Sequence, residues 1–156
     1  GKVVQWPYLR LPELCLGYAE ALCQTNGNMN LAYECVNKLR DRVGVGHLKK
    51  GLNKTEFLDA LLTERACEFA YEEVRWFDMI RYKRVDIFQK TPHRVVITKN
   101  HETGEFNYEY KLFKPAENGE LRQWANPGNF SPKWYLSAFP SNEINKAYGL
   151  IQNPGW

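Results

Sequence analysis

A helical apolar period runs unbroken from Leu58 to Ile80, and no other stretch of the sequence restricts the fold as strongly. Leu58, Leu61, Leu62, Ala66, Phe69, Ala70, Val74, Phe77 and Ile80 recur at spacings of three and four, which places them on one face of a helix. That face has to be buried. Asn53 and Glu56 have the spacing of a capping box just ahead of it. The pattern therefore predicts one helix from Lys54 to Arg84, ~45 Å long at the α-helical rise. Glu64, Arg65, Glu68, Glu72, Glu73, Arg75, Asp78 and Arg81 fill the other positions. Glu72/Arg75 and Asp78/Arg81 stand three apart, close enough to pair along such a helix. Tyr71 and Trp76 lie among these charges, so part of the charged face is expected to pack against another element. A guanidinium buried there requires a planar carboxylate partner.

Glu64, Glu68 and Glu72 form a row on the predicted helix. Such a row suits acid/base chemistry, a metal site or a structural ladder of ion pairs. No histidine joins it, so the ladder is the expectation. Two shorter helices precede it. Leu11, Leu14, Cys15, Tyr18, Ala19, Leu22 and Cys23 keep helical spacing to Gln24, with Pro12 in the first turn and Asn26-Gly27 as the stop. Ala32, Cys35, Val36, Leu39 and Val43 repeat the pattern behind an Asn28 or Asn30 cap, ending at Gly44. A connection this short makes the two helices antiparallel neighbours. The next segment, from Val43 to Lys54, is read as loop, and His47 within it as an exposed residue rather than a ligand contact.

Chain length and a 44% hydrophobic content suit one domain with a real core over residues 1–156. Residues 1–84 are expected to be helical, and 85–156 to hold a hairpin, a loop and a C-terminal tail. The net charge of +3 is small and the basic residues alternate with acids, so nucleic-acid binding has no support. Cys15, Cys23, Cys35 and Cys67 all fall within predicted helices without C-x-x-C spacing, which reads as free thiols on apolar faces. No signal peptide, lipid-attachment cysteine or membrane-spanning apolar run is present. The chain opens on the strand-like run from Lys2 to Trp6, however, as a piece of a longer protein would.

Beyond Arg84 the chemistry changes. Residues 95–99 and 106–112 have strand composition, the second alternating aromatic and polar around a Glu102-Thr103-Gly104 turn. Residues 114–133 form a long irregular connection. Sugar recognition needs a flat aromatic face with amides or charges beside it. Trp124 with Arg122, Gln123 and Asn126 has that composition, and Tyr108 and Tyr110 alternate so as to share one face of a strand. These are the candidate ligand-binding residues. Residues 134–145 read as an extended run into a helical turn capped at Ser141, and the chain ends Gln152-Asn153-Pro154-Gly155-Trp156.

Three blocks of the sequence, in order, resemble the SusD/RagB family. The first runs from Arg10-Leu11-Pro12-Glu13-Leu14 through Tyr18-Ala19-Glu20-Ala21 to the stretch Val36–Gly44. The second is Glu64-Arg65, Glu68-Phe69, Glu72, Arg75-Trp76-Phe77-Asp78 and Arg81. The third is the Pro140-x-x-Glu143-Ile144 turn with the Gln-Asn-Pro-Gly-aromatic tail. Ala66 stands where the family often has Arg, and Glu73 where it often has Gly. The resemblance implies the C-terminal portion of a mainly α protein with tetratricopeptide-like helical packing, a small β-hairpin and long irregular loops. It also implies an outer-membrane lipoprotein of Bacteroidetes, on the extracellular face, its lipid anchor lying outside this stretch. Such a protein binds an oligosaccharide or other nutrient as a lid over a SusC-like TonB-dependent transporter, and is not an enzyme. The sequence shows no nucleophile-base pair, phosphate loop or metal motif, so neither cofactor nor metal ion is expected.

Two other readings use the same residues. A helical-repeat scaffold would bind a protein without sugar specificity, but would continue with helices rather than a hairpin. A glycoside hydrolase needs two carboxyls facing each other across a sugar, about 5–9 Å apart. Glu64, Glu68 and Glu72 on one helix face do not oppose one another.

Overall fold

The computed structural model describes residues 8–88, 90–114 and 130–156. The chain divides into two compact units, Gly1–Asp78 and Met79–Trp156.

The first unit is helical. Helix α1 (Leu11–Gln24) begins with Pro12 in its first turn, where no amide donor is needed. It ends where Asn26 takes a left-handed φ of 54° and the Gly27 amide returns to the Leu22 carbonyl. Helix α2 (Met29–Arg42) is capped by the Asn28 side chain, which accepts from the Leu31 amide. Helix α3 (Lys54–Glu68) opens on the expected capping box, with Asn53 and Glu56 bonding reciprocally. Helix α1 lies against both α2 and α3. Leu16, Ala19, Cys23, Ala32, Cys35, Val36, Leu39, Phe57 and Leu61 form the common core. Tyr33 meets the Phe57 ring edge-on, with centroids 5.0 Å apart.

The buried stripe of α1 is Pro12, Leu16, Ala19 and Cys23, so the expected inward positions Leu11, Leu14 and Tyr18 are exposed. Apolar residues surround this helix on two sides, and the core takes the stripe bearing the small Ala19, buried like Ala32 of α2. All four cysteines are free; Cys23 and Cys35 are buried, and that burial pushes their thiols up. Cys67 is exposed, contrary to the expectation of a buried thiol.

The predicted long helix is broken. Helix α3 stops at Glu68, and α4 (Val74–Arg81) starts after a turn in which Tyr71 and Glu73 adopt φ of 66° and 62°. Phe69 plugs the break, 2% exposed, whereas Ala70, Tyr71 and Phe77 face outward despite their place in the apolar period. Two guanidiniums flank the Phe69 ring, with Arg10 and Arg65 carbons 5.2 and 5.3 Å from its centroid. Arg10 also clamps both sides of the break. It donates to the Glu68 carboxylate and carbonyl at 2.8 and 2.9 Å, and to both Glu72 oxygens at 2.7 and 3.1 Å. Glu72, followed by Glu68, holds the Arg10 guanidinium above its ordinary pKa.

Behind the break, Arg65 donates to Asp78 at 2.8 Å, both side chains being almost fully buried. Residues thirteen apart on a straight helix are separated by about 20 Å along its axis. Only the reversal brings them together. Arg75 adds a bond to the Leu62 carbonyl. The local pair Glu72/Arg75 expected from spacing thus gives way to Glu72 with Arg10, and Asp78 gains Arg65 as a partner across the break.

In the second unit, a four-residue helix α5 (Val85–Phe88) leads to an antiparallel hairpin of β1 (His93–Lys99) and β2 (Phe106–Leu112), paired from His93↔Leu112 to Lys99↔Phe106. Its loop is closed by Asn100, whose side chain accepts from the Glu102 and Thr103 amides while its backbone bonds Gly104 and Glu105. A 3₁₀ turn at Pro132–Tyr135 replaces the first part of the predicted extended run. The helical turn α6 (Ser141–Ile144) follows Pro140 without the side-chain cap predicted at Ser141.

The tail closes this unit through side-chain to backbone bonds. The Gln152 amide takes both backbone groups of Phe139, at 2.8 and 3.0 Å, and Asn153 donates to the Ser137 carbonyl. The Trp156 indole donates to the Lys133 and Leu136 carbonyls, with the Lys133 ammonium 4.6 Å from its ring centroid. Gly155 has a φ of 87°, and a Cβ there would sit 3.0 Å from that of Lys133, so the motif requires glycine twice over.

Two stability predictions follow the break. Glu73 is exposed and left-handed, so Glu73→Gly is expected to raise unfolding free energy by about 1 kcal/mol in denaturant titration, the relief of left-handed strain less the extra entropy of a glycine. An unchanged or lowered midpoint would contradict the strain. Asp78→Ala strands a buried guanidinium and is expected to cost about 3–5 kcal/mol, most of it recovered in the double variant Arg65→Met/Asp78→Leu.

Candidate functional site

The carboxylate row has its partners. Glu64 receives Arg40 at 2.6 Å; Glu68 receives Arg10 and Arg42, one on each oxygen; Glu72 receives Arg10. Glu68 and Glu72 stay together although the helix ends between them, because the turn wraps both around one guanidinium. Paired in this way, the row is an ion-pair ladder, and it links α1, α2 and the end of α3. Among the described residues, no group of three or more His, Cys, Asp or Glu side chains is placed to hold a metal ion. No described helix is long and apolar enough to cross a membrane.

Of the candidate ligand residues, Trp124, Arg122, Gln123 and Asn126 lie outside the described residues. Tyr108 and Tyr110 are placed clearly. Strand periodicity puts alternate residues on one face, and the register sets Tyr108 opposite Ile97 and Tyr110 opposite Val95. Phe106, opposite Lys99, and Leu112, opposite His93, complete that face. Tyr110 is 81% exposed, and Phe106, Tyr108, Leu112, Val95 and Ile97 are exposed as well.

The result is an open strip of rings on an aliphatic floor. The Lys99 ammonium sits 5.7 Å from the Phe106 ring centroid at one end, and His93 closes the other. The opposite face carries Arg94, Val96, Thr98, Asn107, Glu109 and Lys111, and Lys111 holds the Glu109 carboxyl below its usual range. Exposed aromatic faces bordered by cationic and hydroxyl groups suit a flat ligand with one apolar side and a polar rim. Sequence periodicity pointed to Tyr108 and Tyr110. It missed the contributions of Val95, Ile97 and Phe106, which come from strand pairing.

The family model described as "SusD family" matches residues 1–156. A relative from Formosa agariphila, SusD-like protein P2, is 33% identical over an 82-residue alignment that covers 48% of this chain and 16% of that protein. A crystal structure of a SusD-like protein from Bacteroides fragilis superposes with a TM-score of 0.71 at 29% identity, over 97% of this chain and 26% of that one. The chain thus spans about a quarter of the solved protein's length. The mainly helical architecture with its single described hairpin is that of a SusD-like protein, with tetratricopeptide-like helix packing.

Proposed function

The chain belongs to the SusD family, and we propose that it forms the C-terminal portion of a non-catalytic, surface-exposed protein that binds an oligosaccharide or other nutrient. In this reading the full protein is lipid-anchored on the extracellular face of the outer membrane. It passes its ligand to a SusC-like TonB-dependent transporter.

The observation that carries the binding role is the exposed face of the hairpin, which Tyr108 and Tyr110 share with Ile97 and Val95, their partners across the ladder. A pyranose ring has an apolar side that stacks on such rings, while its hydroxyls reach the tyrosine hydroxyls, His93 and Lys99. The paired state of Glu64, Glu68 and Glu72 also favours binding over hydrolysis. Each is held by a guanidinium on its own unit, and no two face each other across an open space as glycosidic cleavage demands.

A second reading, a scaffold for a protein partner, has its own support in Leu11, Leu14 and Tyr18, exposed along one side of α1. Calorimetric titration of the full-length protein with oligosaccharides from its growth substrate separates the two. Saccharide binding weakened at least about tenfold by Tyr108→Ala/Tyr110→Ala, the loss typical of two aromatic anchors, supports the first. Equal affinity in the double variant would remove the hairpin from the site, and no saccharide binding by the native protein would favour the scaffold.

A further inference from the structure

The outward face of α2 is not simply solvated. Asn30, Tyr33, Glu34, Asn37, Lys38 and Asp41 recur at helical spacing, and the loop from Val43 to Asn53 folds back over them. Between helix and loop lies a cleft of about 630 Å³, also lined by His47, Lys50 and Gly51. That volume falls in the range of small-molecule sites.

Its walls are fixed. The Leu48 amide donates to Asn37 Oδ1 at 3.0 Å, the Leu52 amide to the Tyr33 hydroxyl oxygen at 3.1 Å, and Arg40 Nε to the Gly46 carbonyl at 2.5 Å. His47 Nε2 lies 2.6 Å from Asp41 Oδ1, which joins the tip of the loop to the end of the helix. Three of these bonds run from backbone groups to side chains, so the loop is held by α2 rather than by its own composition.

The same bonds leave a specific set of polar groups unused. Asn37 and Tyr33 spend acceptor atoms on the loop and keep their own donors, the amide N–H groups and the phenolic hydrogen. The Glu34 carboxylate and the Lys38 and Lys50 ammonium groups are exposed along the cleft. Donors and acceptors are therefore interleaved. The charges balance, Glu34 and Asp41 against Lys38 and Lys50. A phosphate would call for a surplus of cationic donors, and a divalent cation for oxygens without ammonium groups among them. A neutral hydroxyl-rich ligand fits, because each hydroxyl both donates and accepts.

We infer that this cleft between α2 and the returning loop is a second saccharide site, sized for one or two neutral sugar rings and separate from the hairpin face. The ligand class agrees with the reading above and to that extent rests on it; the site does not share a residue with it.

The test is saturation-transfer NMR on the full-length protein with glucose, galactose, mannose, xylose, maltose and cellobiose, and with glucose 6-phosphate as the anionic comparison. Native protein, Tyr108→Ala/Tyr110→Ala and Glu34→Ala/Lys38→Ala are compared. The last pair leaves all four bonds that hold the loop, so an unchanged melting temperature is expected. A neutral sugar that still saturates the hairpin variant, and loses at least about tenfold in affinity in Glu34→Ala/Lys38→Ala, establishes the site. Should the cleft variant also melt lower, Glu34→Gln alone, which keeps size and fold, must still weaken the sugar.

Three results overturn the inference: no neutral sugar binding at millimolar concentration, binding indifferent to the cleft variants, or preference for the sugar phosphate. A sugar lost in the cleft variant alone marks this site and leaves the hairpin reading to its own titration, whereas sugars lost only in the hairpin variant would keep that reading and sink this one.

Discussion

Arg10 is the residue on which the helical unit turns. Its guanidinium reaches across from the start of α1 and holds Glu68, the last residue of α3, together with Glu72 in the turn beyond it. Without such a clamp the sequence from Leu58 to Ile80 would continue as one helix, since its apolar period has no proline or glycine to stop it. The turn places two non-glycine residues in left-handed conformations, at a cost of roughly 1–2 kcal/mol each. Charge-assisted bonds and the burial of Phe69 between two guanidiniums offset that cost. The reversal then sets Asp78 against Arg65, and a buried pair of this kind tolerates little misplacement because the Arg65 guanidinium alone would be a stranded charge. Glu73 carries a left-handed backbone there, a conformation that glycine would adopt without strain.

The second unit is held differently. It has few large buried side chains among its described residues, Phe130 being the clearest, in edge-on contact with Trp134 and Tyr135. Order comes instead from amides and an indole placed on backbone carbonyls. Gln152 imitates one step of a β-ladder against Phe139, and Trp156 covers the 3₁₀ turn. A segment stabilised in this way can leave its hairpin free of core duty, and the aromatic face of that hairpin is exposed.

The two surfaces proposed for recognition would work by complementary physics. The hairpin presents area: rings and branched aliphatics that gain by excluding water from one side of a sugar. The cleft on α2 presents unpaired donors and acceptors within fixed walls, which select by hydroxyl pattern rather than by area.

Much of the fold was legible in the sequence because it depends on short-range rules. The approximate limits of α1 and α2, an asparagine cap on α2 at Asn28 or Asn30, the Asn53/Glu56 box, the hairpin and the shared face of Tyr108 and Tyr110 all follow from periods of 3.6 and 2 and from groups within a few residues of each other. The ladder of carboxylates was also legible as structural, since no histidine joins the row. What the sequence could not decide were choices between local options of nearly equal merit. Glu72 could pair with Arg75 or Arg10, and α1 could bury either of two apolar stripes. Each was settled by an element far along the chain, because burial multiplies the worth of a charge pair and close packing rewards the stripe with the smaller residue. The cleft belongs to the same class: its helical half is periodic in the sequence, but its other wall exists only once the loop has returned over α2.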